Sequence, residues 1–460
     1  MRLGIVVSMV FLAGSGLCGG QSLSSAPNPI PAPAGTGSPA QDTTLGKTTP
    51  AQSPIVVRLG IKDAEATALK NNPTISVARL NALASQQVVR EVRSSFWPQA
   101  YASLTAVDAR DNSRITAGAL NNPIIYTRAA AGGTVSQLIT DFGHTSNLLA
   151  SAKLQARADE QNAVATKEDV LAAVDQAFYN ALQTHAVLRV AEQTVASRQL
   201  LSDQVSALTK SKLKSDLDLS FANVNLAQAK LLYLDALNND KAAIASLSAI
   251  LGYPTQQNFD LVGNTEQLAP PPADVDQLIA DAFAKRPEIL ALEFESESAE
   301  KLHSADRDQM FPTISALAAF GDSPIRDDRV YGPYSAVGVN MQIPVFNGFL
   351  YSARSHEAEI RAHAMRQRLT DLRNRISRDV RTAWLTASTA FDRVNVSQQL
   401  LAQANLALDL AQTRYKLGLS SIVELSQAQL QQTQAEIGSA QAEYEYRLSL
   451  AMLLYQTAGL

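Results

Sequence analysis

The sequence is nearly devoid of cysteine, since Cys18 is the single one among 460 residues. It lies in an N-terminal segment that we expect to be removed on export. The mature chain would then have no thiol for disulfides, thiolate metal sites or thiol catalysis. An excess of one charge is also lacking, with 39 Lys and Arg against 43 Asp and Glu. A nucleic-acid-binding protein normally carries a basic excess on one face, so this balance argues against that class.

Motifs of catalysis are missing as well. The sequence contains no Gly-rich phosphate loop, no nucleophile elbow and no plausible catalytic triad. His356-Glu357 and His363 suggest a metalloprotease at first sight. Their spacing of seven residues, however, does not match the i, i+4 spacing that the zinc motif needs. The sequence thus predicts a protein that is not an enzyme and that holds no metal or cofactor.

The N-terminus predicts export. Arg2 precedes a short apolar run, Gly4 to Ala13, and small residues continue to a cleavage site near Gly20. We therefore assign residues 1–20 to a signal peptide. Leu17 stands where a lipoprotein signal has a small residue, which disfavours acylation of the cysteine that follows.

Residues 21–54 are rich in Pro, Ser, Thr, Ala and Gly. Such a composition buries too little apolar surface to fold, so we expect a flexible linker. Beyond this segment no stretch is long and apolar enough for a transmembrane helix, which needs about 20 residues. An exported protein without such a helix is periplasmic, secreted or a membrane β-barrel.

The body of the chain contains an internal repeat. Pro73 and Pro287 are 214 positions apart, and matches farther along, such as Phe178 with Trp384, occur at a spacing of 206. Ordered matches with so little drift indicate a duplication. The two halves are residues 55–264 and residues 265–460.

Each half is predicted to contain a helix, two strands, a very long helix and a further helix. Neither proline nor glycine occurs from about His144 to Leu213 or from about Phe349 to Leu417. Within these stretches apolar residues such as Val174, Phe178 and Leu182 recur at helical spacing. A helix of about 70 residues would be roughly 105 Å long. Its narrow apolar stripe is typical of coiled-coil packing with solvent around it.

The segments at about 98–141 and 312–345 are predicted as pairs of strands, with tips near Asn121-Asn122 and Arg326-Asp327-Asp328. In the second pair, apolar residues alternate with small or polar ones. The apolar set is Val337, Val339, Met341 and Ile343. Such alternation fits a barrel strand with lipid outside and water inside, although a soluble sheet on a core produces the same pattern. Four strands cannot close a barrel, so several chains would have to pool them.

Three motifs complete the pattern: Phe96-Trp97-Pro98 before the first strand pair, Phe346-Asn347-Gly348 after the second, and the run from Tyr415 to Glu424. With the duplicated helix–hairpin–long helix–helix plan, the chain resembles the outer-membrane efflux protein family of TolC-like exit ducts over about residues 55–460. The resemblance implies a mainly α protein with a membrane β-barrel. In such a homotrimer a twelve-stranded barrel lies in the outer membrane of a Gram-negative bacterium and an α-helical tunnel crosses the periplasm.

The resemblance also implies a function and partners. The protein would be the outer-membrane channel of a tripartite efflux pump, passing small molecules such as drugs or toxic compounds to the exterior. A periplasmic adaptor (membrane fusion) protein and an inner-membrane pump of RND or ABC type would be its partners, with outer-membrane lipid around the barrel. Two alternatives stay open: an exit duct for type I protein secretion, and a soluble periplasmic coiled-coil scaffold.

By the same resemblance, several residues belong to the periplasmic entrance. Tyr415 matches a family tyrosine in the network that holds the entrance closed, and Gly418 suits the tight turn beside it. Glu424 falls where the family often has an acidic residue lining the constriction, although an acid at a helix N-terminus has a plain stabilising role. Gln427 falls where some members have a second Asp. Asp218 takes the place of Glu424 in the first repeat.

A second group of expected site residues is aromatic. Phe96, Trp97, Tyr334 and Phe346 flank the predicted strands. We expect them to form belts where the strands leave the membrane, as aromatic rings do at lipid–water interfaces. Ordinary packing of the rings is the alternative.

Overall fold

The computed structural model describes residues 57–108, 114–117, 120–124, 127–263, 267–326 and 331–458. The predicted signal peptide, the predicted linker and the tip at Asp327-Asp328 lie outside these residues. Within the first half the elements are β1 (Val57–Leu59), α1 (Ile61–Asn71), α2 (Pro73–Ser94), β2 (Gln99–Val107), β3 (Arg114–Ala117), β4 (Leu120–Ile124), β5 (Arg128–Thr140), α3 (His144–Lys210), α4 (Asp216–Ile250) and β6 (Phe259–Leu261). In the second half they are α5 (Val275–Lys285), α6 (Pro287–Asp308), β7 (Thr313–Ile325), β8 (Pro333–Gln342), α7 (Leu350–Lys416) and α8 (Ile422–Gln456).

The paired helices have equal lengths in the two repeats. There are 11 residues in α1 and α5, 22 in α2 and α6, 67 in α3 and α7, and 35 in α4 and α8. The predicted plan of helix, strands, long helix and helix is confirmed, and each long helix spans roughly 100 Å at 1.5 Å per residue. α1 and α5 are additions that the sequence interpretation did not separate from the helices that follow them.

The long helices begin at left-handed backbone and continue because nothing interrupts them. Gly143 precedes α3 with φ of 120°, and Phe349 precedes α7 with φ of 65°. α3 packs against α2, α4, α6 and α8, while α7 packs against α5, α6 and α8. Many of the buried positions are alanines, which allow helices to approach closely. Within the part of the chain described here, no helix has the length and hydrophobicity needed to cross a membrane.

The main core of the first repeat lies where α1 and the end of α4 meet the middle of α3. It includes Val174, Phe178 and Leu182, all predicted from their spacing, together with Leu247 and Leu251. The corresponding core of the second repeat lies between α5, the start of α6 and α7, and includes Ile279, Ile289, Ile376 and Val380.

A buried acid distinguishes the first of these two cores. Asp175 on α3 is 3% exposed, its Oδ1 has no hydrogen-bond partner among the described residues, and Glu65 of α1 lines the same cavity. Burial, and secondarily the nearby Glu65 carboxyl, raises the pKa of Asp175 to about 7.

Four strands form one antiparallel sheet in the order β2-β5-β7-β8. The predicted two long strands per repeat are thus confirmed. The connection from β2 to β5 contains more structure than predicted, because β3 and β4 pair with each other as a separate short hairpin. Asn121 and Asn122, predicted at a tip, lie on β4. β1 and β6 form a further parallel pair beside the first core.

Candidate functional site

The turn between α3 and α4, which we call the first tip (residues 211–215), closes through backbone bonds typical of a Schellman motif. The N–H of Leu213 donates to the carbonyl of Leu208 over 2.9 Å, and Lys212 is left-handed with φ of 56°. α4 then begins with a complete capping box. Ser215 Oγ accepts from the N–H of Asp218 at 3.2 Å, and the Asp218 carboxylate accepts from the Ser215 N–H at 3.2 Å.

The turn between α7 and α8, the second tip (residues 417–421), repeats this backbone with different side chains. Gly418 has φ of 74°, and the N–H of Leu419 donates to Arg414 O at 2.8 Å. A Cβ at Gly418 would meet no atom within 4 Å, so its left-handed φ is what favours glycine there. Ser421 Oγ accepts from the N–H of Glu424 at 3.4 Å.

Glu424 extends back across the turn rather than onto its own helix end. Its Oε1 lies 3.5 Å from Arg414 Nη1, and both side chains are about half exposed. Gln427 follows on the same helix and is also exposed. Glu424 stands in the first turn of α8, and its carboxylate lies at the surface of the tip.

Tyr415 joins the two tips. Its side chain is 6% exposed and packs in a small core with Ile422 and Leu425. From the first tip, Lys214 places its Nζ 4.0 Å from the centre of the Tyr415 ring. Burial, and secondarily the Asp218 carboxylate, raise the pKa of the Tyr415 hydroxyl. That hydroxyl has no hydrogen-bond partner among the described residues.

Two polar contacts above the tips tie the repeats together. Asn225 of α4 donates to Ser426 Oγ of α8 at 2.7 Å. The buried Arg198 of α3 donates to the Gln429 carbonyl at 2.9 Å and to Thr433 Oγ1 at 3.2 Å. Desolvation lowers the pKa of Arg198 to about 10. Sequence reasoning missed this arginine because its partners are more than 230 residues away on another helix.

At the other end of the molecule, one face of the four-stranded sheet is apolar on every strand. Val337, Val339 and Met341 lie on this face of β8 and are largely exposed, whereas Ile343 follows one residue after the strand ends. By register the same face carries Ala100, Ala102, Leu104, Ala131, Gly133, Val135, Ile314, Ala316, Ala318 and Phe320. The polar exceptions on this face lie toward its ends and are Gln137, Thr140, Asp322 and Ser335.

The opposite face of the sheet is mainly polar or small. It carries Gln99, Ser103, Thr105, Thr134, Ser136, Ser315, Asn340 and Gln342. Tyr334 also lies on this face, where its ring covers Gly321 and Gly132; a Cβ at either glycine would collide with the ring. Its register thus puts Tyr334 on the face opposite Val337 and Val339, and its place in an aromatic belt stays a prediction.

Exposed aromatic rings mark the helix-side ends of the strands. Phe96 and Trp97 precede β2, and Phe346 follows β8. Two rings at the other strand ends join them: Phe142 and Phe311, with ring centres 6.2 Å apart. The sequence interpretation did not single out this pair. Their positions directly after β5 and before β7 were the available signal.

These features coincide with a known family. A model of the outer membrane efflux protein family matches residues 66–253 and 278–459, which are the two repeats without the connection between them. The chain belongs to the outer membrane efflux protein family. Membership makes it an outer-membrane efflux channel, and the family is one of transport proteins rather than of enzymes.

Individual relatives agree with this assignment. The outer membrane efflux protein BepC of Brucella suis biovar 1 (strain 1330) is 23% identical over 403 residues, which cover 85% of this chain and 83% of BepC. Outer membrane protein TolC of Escherichia coli (strain K12) is 22% identical over 298 residues, or 61% of this chain and 57% of TolC. The solved structure of the Campylobacter jejuni CmeC outer membrane channel has a TM-score of 0.76 at 17% identity, covering 87% of this chain and 85% of CmeC. The efflux-family chain described here therefore has the predicted TolC-like fold.

Proposed function

We propose that three copies of the chain form the exit duct of a tripartite efflux pump. The four strands of each copy close together into one twelve-stranded barrel, and the long helices continue this barrel as a tunnel across the periplasm. An inner-membrane pump of RND or ABC type and a periplasmic adaptor protein deliver small molecules, such as drugs or toxic compounds, to the tips. The duct itself selects little, since the pump upstream decides what arrives.

The observation that carries this proposal is a sheet with one apolar face and two unpaired edges. Within the described residues β2 and β8 each have a strand neighbour on one side. Open sheet edges are not tolerated in lipid, because each unpaired backbone group there costs several kcal/mol. Joining β8 of one copy to β2 of the next supplies the missing partners and makes the apolar band continuous.

Adjacent residues of β8 provide a matched test of this arrangement. Val337→Arg puts a charge on the proposed lipid face, which costs about 2–4 kcal/mol near the bilayer midplane. Ala336→Arg puts the same charge on the opposite, water-lined face and should be tolerated. We expect the heat-resistant trimer band of outer-membrane extracts, and drug resistance of a strain that depends on this duct, to be lost only with Val337→Arg. Recovery of the wild-type chain as a soluble periplasmic monomer would refute the proposal.

We also propose that the two tips form a closed entrance. Threefold symmetry would turn each tip residue into a ring of three, with Glu424 lining the constriction and Gln427 and Asp218 near it. Tyr415 and Gly418 support the closed state, the first by packing on Lys214 and the second by allowing the tight turn. Binding of the adaptor to the tips would open the entrance by shifting this population.

Single-channel recordings test the ring at Glu424. Three carboxylates attract cations and slow anions, and the nearby Arg414 opposes this effect. Glu424→Ala should therefore reduce cation selectivity, and Arg414→Gln should increase it. Asp409→Ala, which removes an exposed acid farther up α7, serves as the control and should change neither selectivity nor divalent-cation block. Unchanged selectivity in Glu424→Ala would leave Glu424 with its helix-end role alone.

The aromatic residues at the strand ends have a proposed role in setting membrane depth. Phe96, Trp97, Phe346, Phe142 and Phe311 stand at the helix-side ends of the strands and are exposed. Such rings favour the lipid–water interface. This position supports a belt at the periplasmic surface of the outer membrane.

A further inference from the structure

A cavity lies in the seam between the two tips. It has a volume of about 300 Å³, at the lower end of the range of small-molecule sites. α3 of the first repeat supplies one wall, with Leu201, Val205 and Leu208, and α8 of the second repeat supplies Leu425. The cavity is therefore bounded by both repeats, and whatever occupies it contacts both.

Two buried polar atoms in this seam have no partner. The Tyr415 hydroxyl and the Gln429 side-chain oxygen belong to residues that are 6% and 3% exposed. Neither atom has a hydrogen-bond partner among the described residues, and both residues line the cavity. A buried polar atom without a partner costs about 1–3 kcal/mol. A ligand that hydrogen-bonds to these atoms removes this cost, which favours its binding.

The charge at the rim of the cavity is positive. Lys214 and Lys416 both line it, and Lys214 Nζ lies 4.0 Å from the centre of the Tyr415 ring. An anionic group beside that ring would accept from the Tyr415 hydroxyl and pair with the lysine, which are charge-assisted interactions. The unpartnered oxygen of Gln429 requires the complementary group, a hydrogen-bond donor.

From these features we propose that the seam binds a small hydroxylated carboxylate with an apolar body. Its carboxylate contacts Tyr415 and Lys214, its hydroxyl donates to Gln429, and its carbon frame covers the leucine wall. Because the site is built from both repeats, occupancy favours the arrangement in which the tips are together. That regulatory meaning rests on the proposed duct, whereas the binding itself does not.

Equilibrium dialysis of the purified full-length protein in detergent tests the site with three probes of one size. They are 3-(4-hydroxyphenyl)propanoate, 3-phenylpropanoate, which lacks the hydroxyl, and 4-(3-hydroxypropyl)phenol, which lacks the carboxylate. We expect saturable binding of the first, with about tenfold weaker binding for each probe that lacks one polar group.

Variants connect each probe group to its residue. Lys214→Gln and Tyr415→Phe should each weaken the binding of 3-(4-hydroxyphenyl)propanoate about tenfold. Each should also abolish its advantage in affinity over the neutral 4-(3-hydroxypropyl)phenol. Gln429→Leu should abolish the advantage of the hydroxylated probe over 3-phenylpropanoate. Lys210→Gln removes a charge at the end of α3 that does not line the cavity, and it should leave every affinity unchanged. Retention of the wild-type oligomer by each variant is checked on the same preparation.

The proposal is overturned if the wild-type protein shows no saturable binding at millimolar probe. It is equally overturned if the acid and the neutral probe bind alike, or if Lys214→Gln and Tyr415→Phe both leave the affinity unchanged. Failure of the duct proposal would be visible separately, as a lack of resistance or of trimers in cells that receive no probe.

Discussion

In the first repeat α1 lies on α3 with Glu65 beside the buried Asp175, whereas in the second repeat the equivalent contact has an apolar centre and its charges lie at the exposed edge. There Ile279 of α5 belongs to the core beneath α7, and the polar residues lie at its edge, where Arg381 and Asp276 form an exposed ion pair of 3.1 Å. The helices have equal lengths, so the backbone plan does not require either solution. The two repeats therefore share the same helix–helix contacts, but the residues at these contacts have diverged.

Replacing the buried acid should have the largest effect. The pKa of Asp175 is about 7 in the folded chain against 3.8 ordinarily. Because this pKa is higher in the folded than in the unfolded chain, the bound proton contributes fully to the free energy of unfolding below pH 4. This contribution is lost as the pH rises toward 7, a change of up to about 4 kcal/mol. Asp175→Asn, which keeps a hydrogen-bonding group without the charge, should melt higher than wild type at pH 8 and lose this pH dependence.

The second repeat supplies the control for that experiment. Arg381→Gln removes an exposed ion pair at the equivalent contact, and exposed pairs contribute about 0–1 kcal/mol. Melting followed by the helical circular dichroism signal at pH 5 and pH 8 should show the wild-type pH dependence in Arg381→Gln. An unchanged dependence in Asp175→Asn would mean that other groups titrate there.

The two tips allow a second comparison with effects of opposite sign. Gly418→Ala places a Cβ in left-handed backbone and should destabilise the second tip by about 1–2 kcal/mol. Lys212→Gly relieves the same conformation in the first tip, where φ is 56°, and should stabilise it by a similar or smaller amount. Hydrogen exchange of the Leu419 and Leu213 amides, which close the two turns, measures each change locally. Equal effects of one sign would contradict a shared motif.

The smallest difference concerns the acids at the third position of α4 and α8. Asp218 closes a complete capping box, so Asp218→Ala should cost about 1 kcal/mol at the start of α4. Glu424 instead pairs with Arg414 at the surface, and Glu424→Ala should cost less than about 0.5 kcal/mol. Exchange rates of the amides in the first turn of α4 and of α8 separate the two. If Glu424→Ala destabilises the first turn of α8 more than Asp218→Ala destabilises that of α4, Glu424 acts mainly as a helix cap.

The parts that sequence alone predicts are those with a local cause. The long helices were placed within three residues of their ends, because proline and glycine are absent from them and Gly143 and Gly418 stand at their borders. The alternation of Val337, Val339 and Met341 likewise predicted one face of the sheet. By contrast, the short β3–β4 hairpin lies in a polar stretch without any periodicity.

Contacts between distant residues were beyond such reasoning. Glu65 and Asp175 are 110 positions apart, and the sequence around each one contains no pattern that predicts a buried pair. Tyr334 has the expected alternation, but the position of its ring over Gly132 and Gly321 depends on strands that pair across the two repeats. For the tips, the resemblance named Tyr415 and Glu424, while the roles of Lys214 and Arg414 follow from the packing of helix ends.

The equal helix lengths also mean that each length is encoded twice, as 67 residues in α3 and α7 and as 35 residues in α4 and α8. Losing one residue from α3 alone would shorten it by about 1.5 Å and rotate everything beyond the deletion by about 100°. Every side chain facing α4 and α8 would then face elsewhere. A longer or shorter version therefore requires coordinated changes in α3, α4, α7 and α8, each by whole turns of about 5.4 Å. The length of the long helices therefore changes in steps of whole turns, and the insertion of a single residue within them is excluded.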